Sequence, residues 1–302
     1  MKVFLLTLLG VVVLPRSQAE GPAEVHRYAS GAPGIFANAY LVETAHGVVA
    51  IDATLTESDS KALRARLDSL NKPLRAVLLT HGHPDHYNGV TNLLQGAPVP
   101  VVATAGVDKV IRESDAAKEL QWKPTFGAEW PARRTFPTRT VRDGESLAFD
   151  GVSFTVHDLG PGESHSDSIW IATGSLRAAF IGDVVLNGVH AYVSDGHTSE
   201  WLRNLVRVSV LSAGSPVYPG HGEPGAAGLL SWQREYLVRY RKEVAALANG
   251  RASLTDAEKA TLATRMKEQL ATDRLEFLIG LGADAVALEL QGPGVSKPAR
   301  LQ

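Results

Sequence analysis

The sequence predicts an α/β fold of layered sheets and helices, and three observations predict it. Short apolar runs bounded by Gly, Pro and polar turn signals recur before Glu200, several of them paired around two-residue turns. A segment of amphipathic helical spacing lies among them, and after Glu200 the periodicity becomes mainly helical. No long linker and no short repeat divides the chain, so it reads as one compact unit.

The elements follow in order. Met1 and Lys2 precede an apolar run from Val3 to Leu14, too short to span a bilayer, then Pro15-Arg16 and the small residues of Ser17-Gln18-Ala19. This pattern is that of a secretory signal over residues 1–19, cut before Glu20, and it predicts a secreted or periplasmic protein. Residues 39–43 and 48–52 flank His46-Gly47 as a hairpin. Residues 61–70 are spaced as an amphipathic helix, and 74–80 form a short apolar run like a buried parallel strand. Residues 98–104 give another strand, whereas 121–140, with Trp122, Phe126 and Trp130 among Gly and Pro, read as an irregular loop. Asp150-Gly151 joins strands 146–149 and 152–158, and Gly174-Ser175 joins 168–173 and 176–181. Helices are expected over 199–211, 226–248 and 254–281, with a strand at 216–218.

Composition narrows the chemistry. A formal charge of −2 and the lack of a basic patch disfavour nucleic acid as a partner. No second apolar stretch is long enough for a membrane span. Zero cysteines exclude disulfides, thiolate metal sites and a cysteine nucleophile, so any metal must be held by imidazole and carboxylate.

Such groups are concentrated in His81-Gly82-His83-Pro84-Asp85-His86, three imidazoles and a carboxylate at the end of a predicted buried strand. Alternate residues at an extended strand end aim at one point. His81 and His83 are thus placed to share one ion, while Asp85 and His86, beyond the Pro84 bend, face a second. Three further candidates sit at strand ends: His165 in the loop from Gly160, Asp183 after Phe180-Ile181-Gly182, and His221 in Tyr218-Pro219-Gly220-His221-Gly222.

In this order, the motifs resemble those of the metallo-β-lactamase-fold hydrolases, with Asn38-Ala39-Tyr40-Leu41-Val42 and Ile51-Asp52 matching the first strands. The resemblance covers nearly all of the chain beyond residue 19. It implies a four-layer αβ/βα sandwich, two mixed sheets between outer helices, over residues 20–302, the C-terminal part being helical. It implies a first metal on His81, His83 and His165, a second on Asp85, His86 and His221, and Asp183 as a bridge. An aspartate at 183 is the pattern of the lactonase, thioesterase and glyoxalase-like members, whereas the β-lactamases usually carry cysteine or serine there.

The expected protein is therefore a hydrolase with two divalent metal ions, zinc first among them, that opens a lactone, ester or thioester through a hydroxide shared by the two cations. Asp85 is expected to bind the second ion and to orient the nucleophile. The alternatives are a β-lactamase, a mononuclear iron persulfide dioxygenase and a non-catalytic metal- or small-molecule-binding protein. Phe36, His190 and Tyr192 are the candidate contacts to a small-molecule substrate, and Trp122, Phe126 and Trp130 a candidate apolar wall.

Overall fold

The structure is a computed structural model and describes residues 21–292. The expected signal segment and its cleavage point lie outside these residues.

Six strands form the first sheet: β1 (Glu24–Ala29), β2 (Asn38–Glu43), β3 (Val48–Ile51), β4 (Leu74–Leu78), β5 (Val101–Thr104) and β6 (Arg139–Val141), ordered as in the chain. Strands β1 to β3 pair antiparallel and β3 to β6 parallel. The second sheet holds β7 (Ser146–Phe149), β8 (Val152–Gly160), β9 (Asp167–Gly174), β10 (Ala178–Leu186) and β11 (Val217–His221), in the order β11-β10-β9-β8-β7. Only its β10–β11 pair is parallel. The helices are α1 (Glu57–Ser69), the short α2 (Pro84–Tyr87) and α3 (Val90–Leu94), α4 (Ala105–Phe126), α5 (Thr198–Leu211), α6 (Gly228–Ala248), α7 (Asp256–Gln269), α8 (Phe277–Leu281) and α9 (Ala283–Leu290).

Strand alternation builds the layers. Along β3, Val49 and Ile51 join Leu78 and Val102 against Phe154, Trp170 and Phe180 of the second sheet, in a core between the sheets. Val48 and Ala50 face the other way, onto Leu63 and Leu67 of α1 and Val107 and Ile111 of α4. The outer face of the second sheet, with Ile169, Ile171, Ala179 and Ile181, is covered by α5 and α6 through Trp201, Leu205, Leu237 and Tyr240. The result is the expected α/β sandwich of two mixed sheets between helical layers. At one end the sheets are stitched together: Ser168 N donates to Thr80 O at 2.7 Å and the Trp170 indole to Leu79 O at 3.0 Å.

Two expectations fail. Residues 121–126 are not loop but the last turns of α4, despite Pro124. Pro124 forfeits one helical hydrogen bond, but ion pairs of Glu119 with Lys123 and Arg134, and of Arg134 with Asp115, hold the helix end. The single helix over 254–281 is instead two pieces, broken between Gln269 and Phe277 with Leu275 at φ 59°. Here a tertiary contact overrides the periodicity, because His190 donates its backbone N–H to Arg274 O at 3.1 Å and its Nε2 lies 3.1 Å from Thr272 O.

Candidate metal centre

The two sheets open at the ends of β4, β8, β10 and β11, and the polar residues collect there. Leaving β4, the chain pairs His81 with Asp167 in an isolated bridge, extends through His83 and enters α2 at Pro84, whose fixed φ suits a first helical position. That entry carries Asp85 and His86 around the turn, beside the first two histidines. Asp183 lies within β10, not at its end, just past a register shift at Gly182, which adopts φ +51°. A side chain at 182 would meet Thr80 Oγ1 at 2.5 Å, so both the turn and the close approach need glycine.

Two clusters result, each with one ligand atom per residue within 4.8 Å of the others: Asp85, His86, Asp183 and His221, and His81, His83 and Glu163. They adjoin, with the His81 and His86 rings 4.2 Å apart. In the first, Asp183 places one oxygen 3.2 Å from His86 Nε2 and the other 3.2 Å from His221 Nε2, and Asp85 lies 3.2 Å from His221 Nε2. In the second, Glu163 Oε2 is 3.0 Å from His83 Nδ1 and 3.6 Å from His81 Nε2.

The sequence-based expectation is corrected at His165. Its side chain is 48% exposed and its Nδ1 lies 2.7 Å from His197 Nε2; Glu163, two residues earlier in the same loop, takes the inward corner. Asp183, expected as a bridge between the two ions, is grouped with Asp85, His86 and His221 and not with His81, His83 and Glu163.

The imidazoles are held from behind. His86 Nδ1 lies 2.9 Å from Asp52 Oδ2, His81 Nδ1 3.0 Å from Thr80 Oγ1, His221 Nδ1 3.0 Å from Ile35 O and His83 Nε2 3.2 Å from Asp195 Oδ2. Such contacts leave the opposite ring nitrogen to face the centre. Sequence reasoning missed Asp52 and Asp195 in these roles, and Glu163 within the second cluster. Asp52 carried one signal, a polar residue at the end of an apolar strand, and its φ of 58° is a conformation that Asp and Asn adopt more readily than other side chains.

The electrostatics depend on pairing. Burial opposes ionisation of Asp183 and Asp85, but His221 and His86 outweigh it and hold both carboxylates well below their usual range. Burial likewise opposes a charge on His221, yet Asp183 and Asp85 push it up to about 10. His81 goes the other way, lowered by burial and by His86. His83 is raised to about 10 because Glu163 and Asp195 outweigh burial. Burial pushes Glu163 up to about 8 against the pull of His83, a direction that conflicts with an ionised partner; the 3.0 Å contact favours the ion pair.

The residues fit divalent cations. His81 Nε2, His86 Nε2, Asp183 Oδ1 and both Glu163 oxygens are buried without a hydrogen bond, a costly arrangement for a fold unless these atoms serve a ligand. Their nitrogen and oxygen donors suit ions of the zinc, iron and manganese type.

Above the centre lies a cleft lined mainly by apolar side chains, with a few polar groups at its floor, as in small-molecule sites. Lys118, Trp122 and Phe126, at successive turns of α4, line it together with Trp130, Leu186, Leu275 and Phe277. Tyr192 lines it too, accepting from Lys118 Nζ at 3.2 Å and packing its ring on His83. His190 reaches the lining but spends Nδ1 on the Tyr236 hydroxyl at 3.0 Å and Nε2 on Thr272 O, so it fixes the wall. Phe36 is not in the lining: Ile35 is, while Phe36 packs on the core beneath the Arg274 guanidinium, 5.0 Å from its ring centre. Trp122, Phe126 and Trp130, named from the sequence as a candidate apolar wall, line the cleft, the first two from α4 and not from a loop.

Known proteins are similar to this chain. A hydroxyacylglutathione hydrolase of Methylobacillus flagellatus is 28% identical over 204 residues, 66% of this chain and 70% of that protein. The uncharacterized protein YobT of Bacillus subtilis is 36% identical over 118 residues, 38% of this chain and 50% of its own. The chain thus spans only about half the length of some curated relatives it matches. Among solved structures, a beta-lactamase domain protein from Burkholderia ambifaria superposes with a TM-score of 0.68 at 19% identity, covering 93% of this chain and 90% of that one. That likeness is one of fold. The sequence model of the metallo-beta-lactamase superfamily matches residues 32–221, from just before β2 to the last residue of β11 and so across every residue of both clusters, and the chain belongs to that superfamily.

Proposed function

We propose that this protein is a dinuclear metal-dependent hydrolase, with zinc as an occupant, that cleaves a lactone, ester or thioester, and that it is exported by its N-terminal segment. One observation carries the catalytic reading: two adjoining clusters of buried imidazole and carboxylate, with donor atoms lacking hydrogen bonds, at the floor of an apolar cleft. The hydroxyacylglutathione hydrolases among its relatives support thioester or ester chemistry.

Bound divalent cations supply acidified water and polarise a carbonyl group. The chain's own residues do the rest. Asp85, ionised and lining the cleft, accepts a hydrogen bond from the attacking water and aims it at the acyl carbon. Asp183, beside His86 and His221, would help to hold the ions. Trp122, Phe126 and Trp130 take up the apolar part of the substrate and exclude bulk water. Lys118, the one Lys or Arg in the lining among the described residues, attracts an anionic substituent.

A panel of lactones, esters, thioesters and β-lactams, run on protein of known metal content, tests this. The best lactone, ester or thioester should reach a kcat/KM of about 10⁴ M⁻¹s⁻¹ or more, with penicillins and carbapenems much slower, and a chelator should abolish turnover. Efficient β-lactam cleavage with negligible ester or lactone hydrolysis would overturn the reading. Export is tested separately, by N-terminal sequencing of the exported protein, which should begin at Glu20.

A further inference from the structure

On the reading that the centre holds metal ions, we propose that Glu163 is itself a metal ligand. Its carboxylate, standing where a third imidazole was expected, makes the His81–His83–Glu163 pocket favour a harder ion, manganese(II) or iron(II), more than an all-imidazole pocket would.

The geometry supports the first part. The Glu163 side chain is fully buried, with Oε2 3.0 Å from His83 Nδ1 and 3.6 Å from His81 Nε2, and neither oxygen has a hydrogen bond. A carboxylate kept for structure is normally capped, and the same loop shows how: Asp167, also buried, accepts from Glu163 N at 2.6 Å, Ser164 N at 3.1 Å and Ser164 Oγ at 2.5 Å. Those bonds turn the peptide so that Glu163 points inward. Gly162 is part of the same device, since a Cβ there would lie 2.5 Å from Asp167 Oδ2. The loop thus spends its donors on Asp167 and leaves Glu163 bare, facing two imidazoles. That is a ligand's environment.

The second part follows from donor chemistry. Imidazole suits zinc, copper, iron and nickel, while carboxylate shifts preference towards manganese and other hard ions; two histidines with one carboxylate and open positions form the triad that holds non-haem iron(II). Here both clusters have two imidazoles, paired with two carboxylates in the first and one in the second. Neither pocket is built of imidazole alone. Zinc still outbinds manganese in absolute terms on any such set, so the informative quantity is the ratio of the two affinities.

The test uses full-length protein stripped by a chelator and reloaded with manganese(II) alone or zinc(II) alone. Native mass spectrometry gives the stoichiometry, and competition with a chromophoric chelator gives the affinities. Glu163→Gln keeps the shape and loses the charge. It should lower affinity for one of the two ions by at least about tenfold, since removing even an outer partner of a ligand costs ten- to a hundredfold. Glu163→His should raise the zinc-to-manganese affinity ratio by a similar factor. Two ions bound by Glu163→Gln with wild-type affinity would show that Glu163 merely pairs with a charged His83, and would overturn the proposal. An unchanged ratio in Glu163→His would overturn the selectivity. Wild-type protein carries a further measurement in case the variants fail to fold: in crystals loaded with manganese(II), an anomalous peak should lie against His81, His83 and Glu163, and an ion held there by a third histidine instead of Glu163 would overturn the proposal. None of these readings uses hydrolysis, so a protein that binds metals in this way but cleaves no substrate would overturn the proposed function and leave this inference standing.

Discussion

Asp52→Asn changes one oxygen to an amide nitrogen, yet it should weaken both halves of the centre. Asp52 Oδ2 is the end of two hydrogen-bond chains. His86 Nδ1 lies 2.9 Å from it, and Thr80 Oγ1 donates to it at 2.7 Å while lying 3.0 Å from His81 Nδ1. One carboxylate oxygen therefore sets the protonated nitrogen of a histidine in each cluster, leaving both Nε2 atoms as acceptors for an ion. Asparagine tolerates the φ of 58°, and its Oδ1 still accepts from Thr80 N, 2.8 Å away in the wild type. In place of Oδ2, however, it offers a donor to two donors. The relief is for His86 to carry its proton on Nε2, the atom 3.2 Å from Asp183 Oδ1 where an ion would sit. Loss of such an outer partner costs about ten- to a hundredfold in metal affinity, or about 1.4–2.7 kcal/mol. The metal-free protein should change far less, by about 0.5–1.5 kcal/mol for the one lost hydrogen bond. Chelator competition on both proteins, with thermal melts with and without metal, separates the two effects. A variant whose metal affinity falls by less than about threefold would refute the orienting role.

Three other outcomes are expected. In Gly220→Ala the new Cβ would lie 1.7 Å from Asp183 Oδ1 and 2.9 Å from the Gly182 carbonyl carbon, so Asp183 must move and elemental analysis should show metal lost from a folded protein; two retained ions would contradict this. Glu289→Ala strips the acceptor from Thr198 N and Oγ1 and Ser199 N and the counter-charge from Arg241, and should cost about 1–3 kcal/mol in chemical denaturation. Burial raises the Glu289 pKa, but Ser199 and Thr198 lower it more, so its stabilisation is present above the unfolded carboxylate range and lost as pH falls through the folded value; wild type should lose more stability than Glu289→Gln below about pH 4. Finally, Lys118→Ala should raise KM for substrates bearing an anionic group and leave neutral ones nearly unchanged; equal effects on both would assign Lys118 to packing alone.

What could be read from the sequence follows a physical division. The strands around His46-Gly47, Asp150-Gly151 and Gly174-Ser175 were legible because turn chemistry and alternation are local properties. So was the His81–His86 run, because its donor density has no other economical explanation. The end of α4 was not, because ion pairs from Arg134, beyond the helix, offset Pro124. Nor was the break before Phe277, which depends on His190, some eighty residues earlier.

The error at His165 has a different cause. Glu163 and His165 lie in one loop on the same strand end, and sequence spacing places the loop without saying which of its side chains turns inward. A histidine is the commoner zinc ligand, so ligand chemistry alone favours the wrong residue. The deciding group is Asp167, whose carboxylate collects the amides of residues 163 and 164 and the Ser164 hydroxyl, fixing the local turn. Ser164-His165-Ser166-Asp167 does carry that signal, since Ser and Asp this closely spaced fold back on neighbouring amides and so break the extended course in which residues 163 and 165 would face the same way. If this account is right, Asp167→Ala should release the loop and loosen the hold of Glu163 on His83. The variant should then lose metal affinity although residue 167 belongs to neither cluster, and wild-type affinity in a folded variant would leave the inward turn of Glu163 without its cause.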